Sequence, residues 1–233
     1  MADRSRRATT VLRLAVLVGI APGLCGLARA QTTPLDDYVA APNASYTWDL
    51  REDLTVDGDG FTEYIVEMTS QTWRDPADNE MDGNVWDHHI YVYVPDTINP
   101  NYDTSLLMLG GAERTGGPMT QPNAYHVQRA IDTQSIVSLV MGVPKADVTF
   151  TGETRPRSED PMLAKTFRNF LDSAGPDPET WPVLLPMVNS AVRAMDTVQS
   201  VVAQETSATV DHFVVTGHSK RGWTTLLTAA VDD

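Results

Sequence analysis

The sequence predicts an α/β fold, a mixed and mostly parallel sheet with helices on both faces. Three observations carry this. Early segments read as antiparallel-type strands, and later segments alternate helix with strand. Ser135 to Val143 is apolar on both faces, as expected of a strand buried in a parallel sheet. Phe213 to Thr216 runs through a short Gly-x-Ser turn straight into a helix.

The elements follow in chain order. Residues 31–45 read as an extended lead-in. Thr62 to Thr69 is a strand with Tyr64, Val66 and Met68 on one face. The preceding Asp57-Gly58-Asp59-Gly60 reads as a turn, because the further acids of a calcium loop are absent from the required offsets. Asp75 to Asn84 is a polar loop. His88 to Val94 is a strand ended by Pro95, and Ser105 to Leu109 is a short apolar strand followed by Gly110-Gly111.

Gln121 to Asp132 suits a helix, with Tyr125, Val127, Ala130 and Ile131 as its apolar contacts. Val148 to Phe150 suits a short extra strand. Pro161 to Leu171 reads as a helix with Asp160 near its start. Leu184 to Gln204 is the clearest helix. Leu184, Val188, Ala191, Met195, Val198 and Val202 recur at helical spacing and make one apolar stripe. Asp211 to Thr216 is an apolar strand, and the helix after it carries Trp223, Leu226, Leu227 and Ala230.

Composition narrows the function classes. The 233 residues carry 17 Lys and Arg against 31 Asp and Glu, a formal charge of −14. Such a chain does not suit non-specific nucleic-acid binding, which needs clustered cations. A single cysteine excludes an intramolecular disulfide and a cysteine-based zinc site. No His-Glu-x-x-His, dinucleotide or phosphate-loop signature is present, so neither metal nor cofactor is expected.

The first 30 residues have the layout of an export signal. Arg4, Arg6 and Arg7 precede an apolar run from Val11 to Leu27, which ends in the small-x-small Ala28-Arg29-Ala30. The apolar part after Arg13 is about 15 residues, shorter than the ~20 of a membrane span. Cleavage near Ala30 is expected to give a periplasmic or extracellular bacterial protein without a stable membrane anchor. It removes Cys25, five arginines and one acid, leaving the remainder more acidic than the whole.

The turn Thr216-Gly217-His218-Ser219-Lys220-Arg221-Gly222-Trp223 carries the chemistry. α/β-Hydrolases place their nucleophile on such a strand-to-helix turn. The first helical N–H groups and the helix dipole favour a developing oxyanion. Ser219 is therefore the candidate nucleophile, with a plain helix N-cap as the alternative. The backbone N–H of Lys220 and an N–H in Gly110-Gly111-Ala112 are the candidate oxyanion donors. The usual Gly-x-Ser-x-Gly pattern is shifted here, with Arg221 two after Ser219 and the glycine at Gly222.

The chain resembles the PhoPQ-activated pathogenicity-related proteins. The matching stretches include Pro34-Leu35-Asp36-Asp37-Tyr38-Val39, Ser70-Gln71-Thr72-Trp73 and Trp86-Asp87-His88. Gly110-Gly111, Glu159-Asp160, Leu185-Pro186-Met187 and Ala194-Met195-Asp196-Thr197-Val198 continue the match, and the Ser219 to Thr224 core is the most specific. The resemblance implies an exported bacterial protein of the α/β-hydrolase class, linked to virulence and envelope stress, and supplies no substrate. Two departures stand out. Lys145-Ala146-Asp147 replaces an Asn-Gln-Pro-type run, and family members are about twice as long.

In this fold the acid and the histidine follow the serine in chain order. Here only Asp232 and Asp233 are acids after Ser219, and no histidine follows. The 31–233 product is therefore expected to be the front part of a hydrolase domain, poorly soluble and inactive by itself. Two functional readings follow. The first is a serine hydrolase acting on a small ester or amide or a cell-envelope substrate. Lys220 and Arg221 would there bind an anionic group, uronoyl esterases of this fold likewise having a base just after the nucleophile. The plainer role for Arg221 is a solvated residue or a partner of an acid such as Asp160. The second reading is a non-catalytic envelope protein that binds cationic peptides or cell-surface components through its acidic surface.

Overall fold

A computed structural model describes residues 32–78, 80–111 and 117–232. The expected signal segment, Ala112 and Asp233 lie outside the described residues.

A seven-stranded sheet forms the centre. It comprises β1 (Thr47–Leu50), β2 (Val56–Gly58), β3 (Phe61–Thr72), β5 (Val85–Pro95), β6 (Thr104–Leu109), β7 (Val137–Val140) and β9 (His212–Gly217). Their order is β1-β3-β5-β7-β6-β9, with β2 also pairing with β3. β3, β6, β7 and β9 run in one direction, while β1, β2 and β5 oppose them. Two short strands, β4 (Met81–Asp82) and β8 (Thr149–Phe150), pair separately. Five α-helices pack with the sheet: α1 (Pro34–Ala40), α2 (Ala124–Thr133), α3 (Glu159–Leu171), α4 (Leu184–Glu205) and α5 (Lys220–Val231).

Strand alternation sends side chains to two cores. Val66, Met68, Ile90, Val92, Leu107 and Val140 face α1, α3, α4 and α5, and the partly buried Phe213 and Val215 pack against the same cluster. Ile65, Tyr91, Tyr93, Val137 and Leu139 face α2 on the other side. Helices therefore cover both faces, as expected. β6 and β9 are the third and fifth core strands, counting from β3. They are parallel neighbours with Leu109 opposite Gly217, so Gly110 and His218 leave the sheet side by side at the carboxyl ends of their strands.

The structure corrects several expectations. The lead-in is not wholly extended, because Pro34–Ala40 is helical. Thr33 and Asp36 form a reciprocal capping box and Pro34 sits in the first turn, a local signal present in the sequence. The 75–84 loop contains β4. Tyr125 is 54% exposed with Arg129 over its ring, and His126 takes the buried place on α2 instead. α4 is buried well beyond its predicted stripe, including Met187, Asn189, Ser190, Ala194 and Thr197, because α1, α5 and the sheet enclose it. α5 buries Lys220, Thr224 and Thr228, while Trp223 and Leu226 are 46% and 74% exposed.

Candidate active site

The two residues between β9 and α5 are His218 and Ser219. Ser219 is exposed and has φ 59°, ψ −123°, a conformation that costs a non-glycine residue of order 1–3 kcal/mol. An N-cap serine sits in the extended region, with its oxygen accepting an N–H of the first turn. Ser219 does neither, and its side chain makes no cap hydrogen bond. The plain N-cap reading therefore fails on geometry.

Two glycines make the turn fit. A Cβ on Gly217 would lie 2.6 Å from Arg221 Cβ and 2.8 Å from Arg221 C and O. A Cβ on Gly222 would lie 3.1 Å from the Gly217 carbonyl oxygen. The shifted pattern thus closes the same contact. Arg221 crosses over bare Gly217, and Gly222 lets the first helical turn approach that carbonyl.

The segment after β7 ties this turn to the Gly110-Gly111 loop. Gly142 N–H donates to the Gly111 carbonyl at 2.8 Å, and Val143 N–H to that of Gly110 at 3.1 Å. Arg221 Nε donates to the Val143 carbonyl at 2.6 Å. The buried His88 steadies the same segment. Its Nδ1 lies 2.9 Å from the Met141 carbonyl, which fixes the proton there, and Nε2 lies 2.8 Å from Ser70 Oγ. Gly111 packs directly on Arg221, whose Nη2 would lie 2.6 Å from an added Cβ.

The two glycine N–H groups of the loop after β6 differ in their partners. Gly110 N–H donates to the Val140 carbonyl at 2.7 Å, so the sheet ladder consumes it. Gly111 N–H makes no backbone hydrogen bond among the described residues. Lys220 opens α5, so its N–H is one of the four without an intrahelical acceptor.

The side chains of Lys220 and Arg221 are already held by carboxylates. Lys220 Nζ lies 2.6 Å from Glu159 Oε2 and 2.7 Å from Asp160 Oδ1. Arg221 Nη2 pairs with Glu159 Oε1, not with Asp160. Burial opposes the Lys220 charge, but the hydrogen bonds it donates to Asp160 and Glu159 outweigh this and hold the ammonium pKa above the ordinary lysine value. Two cations and two carboxylates leave the cluster formally neutral. Glu159 opens α3 at φ 55°, a second strained residue beside the strained serine. Sequence reasoning missed its role. Its only local signal is an acid at a helix start, and the partners are 61 and 62 residues away.

Among the described residues, Ser219 Oγ has no hydrogen-bond partner. His88 is committed within the core, His126 is buried beside Tyr93, and the exposed His212 opens β9 at 4.0 Å from Asp103. Among these residues no cluster is placed to hold a metal ion, and no helix is long and apolar enough to cross a membrane. A cavity of about 590 Å³ lies elsewhere, lined by Glu67, Asp87, His89 and Lys145.

The chain is 33% identical over 202 residues to autocrine proliferation repressor protein A of Dictyostelium discoideum, covering 86% of this chain and 39% of that protein. Among solved structures it is similar to a glucuronoyl esterase from Solibacter usitatus at 16% identity and TM-score 0.49, covering 85% of this chain and 54% of the other. An acetyl xylan esterase from Paenibacillus sp. R4 is similar at 14% identity and TM-score 0.46, with coverages of 85% and 52%. The chain thus spans well under two thirds of the length of each. The description PhoPQ-activated pathogenicity-related protein matches residues 35–233, and the chain belongs to that family.

Proposed function

We propose that Ser219 is the nucleophile of a serine hydrolase that cleaves a small ester or amide after export from the cell. The observation that carries this is the strained, exposed Ser219 backbone with its hydroxyl unused for capping. Ser219 Oγ attacks the carbonyl carbon and gives its proton to a base. The carbonyl oxygen becomes an oxyanion facing the Lys220 and Gly111 N–H groups. The bond to the leaving group breaks, the base returns the proton to that group, and water then releases the acyl group.

Among the described residues no general base lies within hydrogen-bond reach of Ser219 Oγ. Among the described residues Ser219 is therefore poised but has no activating partner. The neutral cluster around Lys220 and Arg221 offers no uncompensated charge, so this reading favours neutral over carboxylate-bearing substrates. Export, with cleavage near Ala30, belongs to the same proposal, as does any part in virulence.

The test uses 4-nitrophenyl acetate. The chain alone should hydrolyse it no faster than Ser219→Ala. Added imidazole, as an external base, should raise the rate of the unsubstituted chain about tenfold above the variant under the same conditions. Identical rates for both proteins with imidazole present would remove Ser219 from the reaction.

A further inference from the structure

Two peptide groups fix the direction of the Gly111 N–H. The first is Gly110-Gly111, whose carbonyl accepts from Val143 N–H in the segment after β7. A trans peptide is planar with its C=O and N–H opposed, so the Gly111 N–H points away from β7. β6 lies between β7 and β9, and that direction is therefore toward the β9 side, where His218 and Ser219 turn into α5. Gly111 N–H makes no hydrogen bond among the described residues.

The second peptide is Met141-Gly142. Its N–H donates to the Gly111 carbonyl at 2.8 Å, and its carbonyl accepts from His88 Nδ1 at 2.9 Å. One rigid plane is thus gripped at both ends, by the loop after β6 and by His88. His88 lies on β5 just beyond the Ile90–Val140 pair and is 3% exposed. Ser70 Oγ donates to its Nε2 at 2.8 Å and lies 3.0 Å from Ser190 Oγ of α4, so the ring is braced against that helix. Gly142 has φ 81°, and an added Cβ would lie 3.3 Å from both His88 Nδ1 and the Asp87 carbonyl oxygen. Turning this plane would move the Gly142 and Val143 N–H groups together, and with them both glycine carbonyls that they hold.

We propose that His88 is a positioning residue, which through the Met141-Gly142 peptide aims the Gly111 N–H at the oxyanion formed when Ser219 attacks. This rests on the reading of Ser219 as the nucleophile. Hydrolysis of 4-nitrophenyl acetate and 4-nitrophenyl thionoacetate by the full chain with imidazole tests it, each rate corrected for that of Ser219→Ala. Sulfur accepts hydrogen bonds weakly, so the oxygen-over-sulfur rate ratio reads the oxyanion donors rather than the stability of the fold. His88→Gln leaves no donor at the Nδ1 position and should lower the ratio about tenfold, less than the ~100-fold of losing a donor outright. His88→Asn puts an amide nitrogen in place of Nδ1 and should keep the ratio within about twofold. Gly142→Ala crowds the same plane from within the chain and should lower the ratio as His88→Gln does. An unchanged ratio in either of these two variants, or a loss in His88→Asn equal to that in His88→Gln, would overturn the proposal while leaving Ser219 as the nucleophile. Hydrolysis of both esters no faster than by Ser219→Ala would remove the nucleophile and this proposal with it.

Discussion

Trp73→Ala is expected to lower the unfolding free energy by about 3–5 kcal/mol, the range for truncating a buried aromatic residue. Trp73 has no exposed surface. It meets Trp86 edge-on at 5.8 Å and Trp181 edge-on at 6.2 Å, so one ring joins β5 to the segment before α4. Its indole N–H also donates to the Thr180 carbonyl at 3.1 Å. Alanine removes the ring, leaves a cavity between two rigid indoles and strips that carbonyl of its donor. Trp73→Phe should fall between the two, since it restores part of the volume but not the hydrogen bond. Urea denaturation reads the difference. A loss below about 1 kcal/mol for the alanine variant would mean that the site collapses freely, contrary to the packing described.

Glu159→Leu is expected to cost about 3 kcal/mol, the lower end of the range for removing one partner of a buried ion pair. The loss arises because Lys220 and Arg221 are only 7% and 12% exposed at the side chain and share this carboxylate. Asp160 still holds Lys220, which keeps the figure at the lower end. The sign with pH follows from the raised Lys220 pKa. A group whose folded pKa is raised contributes fully below its unfolded value, about 10.4 for lysine, and loses that contribution as pH rises through the folded value. The gap between the unsubstituted protein and Glu159→Leu should therefore be full at neutral pH and shrink above about pH 10.4, without vanishing because Arg221 stays charged. An equal denaturation midpoint at neutral pH would show that the cluster does not hold the turn in place.

How much of this was legible in the sequence depends on the range of the interaction. The β9–Ser219–α5 turn was legible because a strand, a Gly-x-Ser triplet and a helix are local signals. The choice between nucleophile and cap was not, because it rests on a backbone angle that Gly217 and Gly222 permit but do not dictate. The loss of Gly110 as an oxyanion donor follows from sheet register, since β6 pairs with β7 and its ladder extends one residue past Leu109. Sequence does not state that register. Glu159 joins residues far along the chain, and only the fold brings them together. The α1 helix differs, because Thr33, Pro34 and Asp36 form a capping signal that is local and readable in the sequence.

The central claim is that Ser219 is a nucleophile presented by the turn. The most direct measurement is covalent modification by a fluorophosphonate in the presence of imidazole, with the adduct located by peptide mass mapping. The account predicts a single adduct on Ser219, absent from Ser219→Ala and strongly reduced in Gly217→Ala, where the added Cβ meets the Arg221 backbone at 2.8 Å. An adduct on another residue, or equal labelling of Ser219→Ala, would contradict it.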